Sequence, residues 1–505
     1  MSKLAVVSSA TVLGVEGRAV RVEVHVGQGL PAFTIVGLPD AACREARDRV
    51  RAAIATSGLS WPLQRITVNL APSSLRKVGG GLDLAIAIGV LVADDKVGAA
   101  AVTGMGFVGE LGLDGTVQPV AGTVPLVDAL DADVVVVARD SAEEARLVDR
   151  HVVRPVSTLT ELVKALKGEE PWPEHPRPAS PPGPPPVPDL TDVRGQPVAR
   201  HALELAAAGG HNLLFVGPPG AGKTMLAQRL PGILPPLTPE EALLTTRVHS
   251  AAGLIRPGFG LVAAPPFRAP HHSSSMVSLV GGGTATMRPG ELSLAAGGVL
   301  FLDELGEFQP SALDALRQPI EEGCVRVSRA RATITLPARF LLVAAMNPCP
   351  CGQGGPGECT CTDTARLRYR RRLSAPLLDR FDLRVDVARP DVDELLRGRG
   401  GEPSATVRER VLAARARAAA RGVTSNARLP AERLETEAPL TPGALTMIET
   451  SLRQGRLSAR GLARIRRVAL TVADLAGLEG PLRAEEIGQA LALRQDPMPL
   501  DRAVA

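Results

Sequence analysis

The stretch Leu213-Leu214-Phe215-Val216-Gly217-Pro218-Pro219-Gly220-Ala221-Gly222-Lys223-Thr224 decides the fold of this chain. Its first four residues are apolar and predict a short buried strand. The next eight fit the phosphate-loop pattern G-x-x-x-x-G-K-[ST], and a helix is expected from Met225 to Leu230. A strand, a loop and a helix in this order are the context in which such a loop binds nucleotide phosphates.

Each residue of this loop has an expected role in binding ATP. The backbone N–H groups are expected to surround the β-phosphate at the start of the helix. Lys223 is expected to reach the β- and γ-phosphates, and the Thr224 hydroxyl to bind Mg²⁺. The alternative is a Gly-rich turn without a ligand, which the preceding strand makes the weaker interpretation. The candidate nucleotide-binding residues of the loop are Gly217, Pro218, Pro219, Gly220, Ala221, Gly222, Lys223 and Thr224.

A second apolar strand, residues 298–302, ends in the acidic pair Asp303-Glu304. Asp303 is placed to contact Mg²⁺ and to complete the ATP site, and Glu304 to act as general base toward the attacking water. Taken alone, such a pair is more often a solvated strand end. Downstream of a phosphate loop it favours hydrolysis of the nucleotide over simple binding.

Composition sets limits on the class of protein. The chain has 505 residues, which predicts two to four domains, and 45% of them are hydrophobic but only 2% aromatic. The cores must therefore be built from Ala, Val and Leu. No run of 18 apolar residues and no signal-peptide layout is present, so we expect a cytoplasmic protein without a membrane span. A net charge of +4 neither requires nor excludes nucleic acid.

The chain divides at a proline-rich stretch, residues 169–188, which predicts a semi-rigid extended linker. Before it, residues 1–168 mix strands with helices, and Asp40 is placed to cap a helix over residues 41–57. After it, strands and helices alternate to about residue 387. Helical periodicity at residues 407–421 and 459–475 then predicts a helical lid, so the fold class is α/β with helices following the core.

Four of the six cysteines crowd together at Cys349, Cys351, Cys359 and Cys361, with glycines between them. In a cytosolic protein this pattern favours a tetrahedral Zn²⁺ site over disulfides. The C-x-C spacing is tighter than the usual C-x₂-C, and free thiols in a flexible loop are the alternative.

Three further residues are candidates for catalysis. Asn347 ends an apolar strand and is suited to orienting the lytic water, although a turn Asn is the plainer interpretation. Arg380 is suited to reaching the γ-phosphate of a neighbouring subunit. The alternative is a local salt bridge with Asp379 or Asp382. Arg460 starts a lid helix and is suited to contacting phosphate. The alternative is an ordinary charged side chain on a solvated helix.

Basic residues supply candidate DNA contacts. Residues 325–336 predict two strands joined by a basic tip with Arg329 and Arg331, suited to the phosphate backbone, and a solvated hairpin is equally plausible. Arg65, Arg76 and Lys77 carry a weaker expectation of the same kind. The pair His271-His272 is not expected to bind metal, because adjacent residues point apart.

Together these motifs resemble the YifB/ComM family of magnesium-chelatase-like AAA+ ATPases over nearly the whole chain. The resemblance assigns ATPase roles to Lys223, Thr224, Asp303, Glu304 and Asn347, and also to Arg380 and Arg460. It implies hexameric rings with ATP sites between subunits, and DNA translocation that drives branch migration during natural transformation. The motifs that carry it are residues 37–40, 68–72, 195–196, 217–224, 267–272, 300–304, 347–352 and 376–380.

The resemblance also sets domain boundaries. Residues 1–168 look like the α+β fold shared by Lon-type proteases and ribosomal protein S5. Residues 189–390 resemble the AAA+ parallel-sheet core, with the cysteine insertion near 349–361, and 391–505 the helical lid. At the positions of the Lon-type Ser–Lys dyad this chain has Gly81 and, near the Lys position, Val124, so we do not expect a protease.

Two hypotheses remain from different classes. The first is an ATP-driven ring motor on DNA, whose binding should weaken steeply with salt. The second is a chelatase-like ATPase subunit that remodels a partner protein and ignores DNA. The cysteine cluster and the amino-terminal domain favour the first, because chelatase motor subunits do not usually carry them.

Overall fold

The structure is a computed structural model. Among the residues that it describes, no helix is long and apolar enough to cross a membrane. The described residues are 3–175, 186–256, 258, 260–283, 287–329, 332–353, 359–397 and 400–494.

The amino-terminal part is a mixed sheet of seven strands with helices packed against it, in the order β3-β4-β2-β1-β5-β8-β9. Strands β1, β2 and β4 are antiparallel neighbours, and the remaining pairs are parallel. Its elements are β1 (Lys3–Leu13), β2 (Glu16–Gly27), β3 (Ala32–Val36), α1 (Ala41–Thr56), β4 (Arg65–Ala71), α2 (Asp83–Ala93), β5 (Met105–Val108), β6 (Glu110–Leu111), β7 (Val117–Gln118), α3 (Thr123–Asp128), β8 (Val134–Ala138), α4 (Ala142–Ala145), β9 (Val152–Val156) and α5 (Leu159–Lys167).

Local sequence explains several of these elements. The Asp40 side chain accepts a hydrogen bond from the Cys43 N–H at 2.8 Å, which confirms the predicted helix cap of α1. Val22, Val24 and Val26 alternate inward along β2 and are buried, as their spacing predicts. Every residue of α2 is buried, because this helix packs between the sheet and α1.

The amino-terminal basic residues do not all face solvent. Lys77 is fully buried, and its ammonium group donates to the Pro72 carbonyl. Burial lowers the pKa of Lys77. The expectation that Lys77 faces DNA is therefore wrong. Gly81 lies just before α2, and Val124 is buried in α3.

The central part is built on a sheet of five parallel strands, in the order β11-β14-β17-β10-β18. A separate antiparallel hairpin, β15–β16, occupies the region where two strands with a basic tip are predicted. The elements are α6 (Pro197–Gly209), β10 (Leu213–Val216), α7 (Lys223–Ile233), α8 (Pro239–Ala251), β11 (Phe267–Arg268), α9 (Met276–Val280), β12 (Gly281–Gly282), β13 (Arg288–Pro289), α10 (Glu291–Leu294), β14 (Val299–Leu302), α11 (Pro310–Asp314), α12 (Arg317–Glu322), β15 (Cys324–Arg329), β16 (Ala332–Pro337), β17 (Leu341–Met346), α13 (Asp363–Arg371), α14 (Ala375–Leu378) and β18 (Leu383–Asp386).

The carboxy-terminal part is helical, as the periodicity predicts. These helices pack on one face of the parallel sheet, where Phe215 and Val343 share an apolar core with Val411 and Ile465. Leu214 and Leu300 point to the other face and join a second core with the β15–β16 hairpin. The elements are α15 (Val392–Arg397), α16 (Ser404–Ala420), α17 (Leu434–Glu437), α18 (Pro442–Arg453), α19 (Ala459–Ala476) and α20 (Ala484–Ala492).

The amino-terminal part contacts the central part through α3 and the β1–β2 turn. Arg247 of α8 pairs with Asp128 at 2.7 Å, and the Ser250 hydroxyl donates to the partly buried Glu144. Val15 packs in the same apolar core as Ile334 of the hairpin. The amino-terminal sheet therefore rests directly on the hairpin. Half of the predicted linker, residues 176–185, lies outside the described residues.

Candidate nucleotide site

The topology brings the predicted ATPase residues to one edge of the parallel sheet. Val216, the last residue of β10, pairs with Met346 at the end of β17, and β14 lies on the other side of β17. Because all three strands run in the same direction, their carboxyl ends meet at this edge. The phosphate loop, Asp303-Glu304 and Asn347 follow these three ends.

The phosphate loop bends sharply into α7. Gly220 and Gly222 have φ angles of +78° and +88°, a region that glycine adopts without steric cost. Lys223 is the first residue of α7, and its Nζ donates to the carbonyls of Gly217 at 2.7 Å and Pro218 at 2.9 Å. Its ammonium group is thus folded back onto its own loop.

Lys223 also connects the loop to the next strand end. Its Nζ donates to Oδ1 of Asn347 at 3.2 Å. Burial lowers the pKa of Lys223, and the nearby charges of Asp303 and Glu304 oppose that shift. The lysine is therefore held among acceptors and negative charges in a place suited to phosphate oxygens.

Thr224 and Asp303 form the second contact across this edge. The Thr224 hydroxyl donates to Oδ2 of Asp303 at 2.6 Å, and Oδ1 of Asp303 accepts from the Glu304 N–H at 2.9 Å. A hydroxyl beside a carboxylate is the oxygen set that Mg²⁺ prefers. The residues present therefore fit a magnesium ion.

Glu304 lies beside these groups, with its backbone in the left-handed region at φ +52°. Its Oε2 is 2.8 Å from Nδ1 of His272. No local sequence pattern predicts this contact. The expectation that the two adjacent histidines point apart is also wrong, because the rings of His271 and His272 are 4.1 Å apart.

Arg380 lies at the opposite edge of the sheet from the phosphate loop. It precedes β18, which runs parallel to β10, so it sits where the strands begin. Its guanidinium pairs with Glu321 and borders a cavity of about 180 Å³ that is also lined by Arg464 and Arg467. Within one chain Arg380 therefore faces away from the loop.

The other predicted contact residues are an arginine of the carboxy-terminal helices and the two arginines of the hairpin. Arg460 is exposed near the start of α19. Arg329 ends β15, and its side chain is not among the described parts, while Arg331 lies outside the described residues. The structure thus gives the hairpin but not the side chains at its tip.

The four clustered cysteines converge beside the phosphate loop. Sγ of Cys349 is 3.3 Å from that of Cys351 and 3.5 Å from that of Cys359, and all four sulfur atoms lie within 4.8 Å of one another. These separations are too long for a disulfide. Four Zn–S bonds of about 2.3 Å in a tetrahedron place sulfurs about 3.8 Å apart, so the residues present fit Zn²⁺.

The cysteine cluster also contacts the phosphate loop. Cys349 follows Asn347 by two residues, and Gly352 has a φ of +82°. A Cβ at Gly352 would come within 2.8 Å of the Pro219 ring, so the cluster lies directly against the phosphate loop. Hydrogen bonds lower the pKa of Cys351; the largest effect comes from the Gln353 N–H and the next largest from Cys349. The lowered pKa favours the thiolate, which is the form that binds metal.

The comparisons with known proteins place most of this chain in one family. Residues 22–139 match the model described as subunit ChlI of Mg-chelatase, and 189–395 match magnesium chelatase, subunit ChlI. Residues 401–494 match the model of the carboxy-terminal region of that subunit. The three matches cover more than half of the chain and all three of its parts.

Full-length relatives refine this assignment. The chain is 44% identical to the competence protein ComM of Haemophilus influenzae over 97% of both chains. It is 43% identical to the uncharacterized protein YifB of Escherichia coli, over 94% of this chain and 93% of the relative. A minichromosome maintenance protein of Saccharolobus solfataricus is 28% identical to this chain, over 28% of this chain and 17% of the relative's length. The chain belongs to the YifB/ComM family of magnesium-chelatase-like AAA+ ATPases.

Proposed function

We propose that this protein hydrolyses ATP as a ring-shaped motor that acts on DNA, promoting branch migration in recombination during natural transformation. The observation that carries the ATPase part is the convergence of Lys223, Thr224, Asp303, Glu304 and Asn347 at one sheet edge. The DNA part is supported by the similarity to a competence protein and by the weaker similarity to a minichromosome maintenance protein.

The residues at this edge would divide the work of hydrolysis. Lys223 exchanges the loop carbonyls for phosphate oxygens, and Thr224 and Asp303 hold Mg²⁺, which neutralises charge on the phosphates when it is bound. Glu304 takes a proton from the attacking water, and Asn347 orients that water. Each role requires a group that lies at this edge of the sheet, which supports the proposal.

The proposal extends to assembly. Arg380 lies at the far edge of the sheet, so it is poised to serve a neighbouring copy rather than its own loop. An arginine supplied in trans stabilises charge on the transferring phosphoryl group. We infer a homo-oligomeric ring, with six subunits by family resemblance, in which Arg380 and Arg460 complete the site of the adjacent subunit.

The remaining parts fit this plan. We propose that residues 1–168 form a Lon/S5-like domain without protease activity, 189–390 the ATPase core and 391–505 the lid, with 169–188 as a linker. The four clustered cysteines are proposed to bind Zn²⁺. Arg329 and Arg331, at the tip of the hairpin, are proposed to contact DNA phosphates.

A chelatase-like subunit that remodels a protein partner is the second candidate. The specific observation in its favour is that all three matching family models describe magnesium chelatase. Such a subunit would hydrolyse ATP without any response to DNA.

The deciding experiment measures ATP hydrolysis without DNA and with single-stranded, duplex and branched DNA, at several salt concentrations. We expect stimulation that is strongest with branched DNA and falls as salt rises, because phosphate contacts release counterions. Glu304→Gln is the matched control, since it keeps the side-chain size but removes the general base. Hydrolysis that depends on Glu304 but is indifferent to every DNA would refute the DNA motor and favour the remodelling subunit.

A further inference from the structure

Tyr369 lies close to two of the residues that we propose for hydrolysis. It belongs to α13, and its side chain is buried. It packs in the same apolar core as Leu305 and Met346. Leu305 directly follows Glu304, and Met346 directly precedes Asn347. One aromatic side chain therefore shares a core with the chain at both of these strand ends.

The turn after Glu304 leaves room for the ring of Tyr369. A Cβ at Gly306 would lie 2.6 Å from Cζ and from the hydroxyl oxygen of Tyr369, which is too close for any side chain. Gly306 is not one of the glycines with a positive φ, so its backbone conformation does not require glycine. The glycine is needed there because the tyrosine ring occupies the space.

The hydroxyl of the same ring reaches the other strand end. The backbone N–H of Asn347 donates to the Tyr369 hydroxyl oxygen. Burial raises the pKa of Tyr369 to about 12, and the nearby charge of Glu307 adds to this shift. The phenol therefore keeps its proton at neutral pH, and its oxygen remains a neutral acceptor for this N–H.

The helix that carries the ring is held at both ends. The Thr362 hydroxyl caps its first turn, and Thr362 directly follows Cys361 of the cysteine cluster. Just beyond the other end, the Arg372 guanidinium donates to the Gly306 carbonyl and to Oε2 of Glu307, each at 2.9 Å. The helix α13 is thus fastened to the cysteine cluster at one end and to the turn after β14 at the other.

Asn347 needs such support because it lies just beyond the sheet. The pairing of β17 with β10 ends at Met346, so no neighbouring strand holds the next residue. The Asn347 side chain accepts a hydrogen bond from Nζ of Lys223 at 3.2 Å, and its proposed task is to orient the attacking water. A group with this task must stay within hydrogen-bond reach of the water and of the general base.

We propose that Tyr369 is a positioning residue, which holds Asn347 and the turn after Glu304 at a fixed separation so that both act on the same water. This inference rests on the proposed ATP hydrolysis and deepens it. The hydroxyl fixes the backbone of Asn347, and the ring fixes the turn at Gly306. Tyr369 thereby acts through these two neighbours and not on the nucleotide itself.

The test measures kcat and KM for ATP in the full-length protein, comparing wild type, Tyr369→Phe, Asn347→Ala and the double variant. Tyr369→Phe keeps the ring against Gly306 but removes the acceptor of the Asn347 N–H. We expect kcat to fall about fivefold, the factor that corresponds to one hydrogen bond of ordinary net strength. KM should stay unchanged, because Lys223 and the phosphate loop are left intact.

The double variant separates positioning from a general loss of stability. Asn347→Ala already removes the amide that Tyr369 is proposed to position. Adding Tyr369→Phe to it should therefore lower kcat by less than about twofold, because two residues that act through one contact are not additive. A substitution that merely weakened the fold would lower kcat by the same factor in both backgrounds.

Leu373→Ala is the matched control, because Leu373 is buried in the same core just beyond α13. It should lower the unfolding temperature more than Tyr369→Phe does, yet keep the wild-type kcat. Wild-type kcat in Tyr369→Phe, or equal falls with and without the Asn347 amide, would overturn the proposal while leaving the ATPase intact. If the wild-type protein shows no hydrolysis that depends on Glu304, the proposed function itself fails, and this inference fails with it.

Discussion

Replacing Asp382 by Asn should detach the carboxy-terminal helices from the parallel sheet. Asp382 lies just before β18, its Oδ1 pairs with Arg464 of α19, and its Oδ2 accepts from the Asn212 N–H at 3.2 Å. Burial alone would raise the pKa of Asp382, but the nearby His211 ring and the Arg464 charge hold it below its usual range. This carboxylate therefore joins the sheet to α19 as a buried charge.

Exposure decides the size of the effect. The Asp382 side chain, which pairs with Arg464 of α19, is 9% exposed. The Glu435 side chain, which pairs with Arg466 of the same helix, is 81% exposed. Removing one partner of a buried pair costs about 3–5 kcal/mol, because the other charge is left without a partner. Exposed pairs contribute little, since water and salt screen them. Asp382→Asn should thus be far more damaging than Glu435→Gln.

Hydrogen exchange of the α19 amides is the appropriate measurement, because a chain of this size does not unfold in a single step. A loss of about 3 kcal/mol or more should speed exchange of these amides by a factor of about 100 or more. Glu435→Gln is the matched control and should exchange as wild type. Equal protection in both variants would refute the reasoning that burial makes Asp382 the link.

The same pair predicts a response to acid. A carboxylate whose pKa is lowered by folding stabilises the native state above its unfolded pKa of about 3.9. This contribution is lost as the pH falls from there toward the lowered native value. Protection of the α19 amides in the wild type should therefore decrease once the pH is below about 4. In Asp382→Asn, the protection of these amides should change little further in that pH range.

Two further predictions concern metal and assembly. Cys349→Ser should lose tightly bound zinc and raise the KM for ATP, because Gly352 of that cluster contacts the phosphate loop. Cys324→Ser changes a cysteine outside the cluster, so it should keep the zinc and the wild-type KM. Metal analysis and ATP titration check this, and normal ATP affinity without metal would contradict it. Arg380→Ala and Lys223→Ala should each be inactive alone, but an equal mixture should recover about a quarter of the active interfaces, since each supplies what the other lacks. A mixture that stays inactive despite subunit exchange would count against an arginine acting in trans.

The sequence predicts that the candidate nucleotide-site residues converge, because they follow strand ends. The phosphate loop, Asp303 and Asn347 each come directly after a short apolar run, and parallel strands bring their carboxyl ends together. The cap at Asp40 is equally local, since the donor is three residues away. Patterns of this kind depend only on neighbours in the chain.

Other contacts depend on distant residues and leave no local pattern. His272 meets Glu304 across 32 positions, and Asp382 meets Arg464 across 82. Lys77 follows an arginine in a polar stretch, which indicates solvent, but the fold buries it against the Pro72 carbonyl. Pairing of this type is decided by how sheets and helices pack, so it is visible only in three dimensions.

The arrangement of the parallel sheet gives a physical reason for the proposed ring. Lys223 lies at the edge where the strands end, and Arg380 at the edge where they begin. A four-residue strand such as β10 spans about 13 Å, so one subunit cannot bring both groups to the same phosphate without unravelling its sheet. A second copy, placed with its opposite edge against the first, supplies the missing arginine without any change of fold. Asp382, two residues from Arg380, ties that edge to α19, so movement of the carboxy-terminal helices would be transmitted to the arginine that we propose to act in the next subunit.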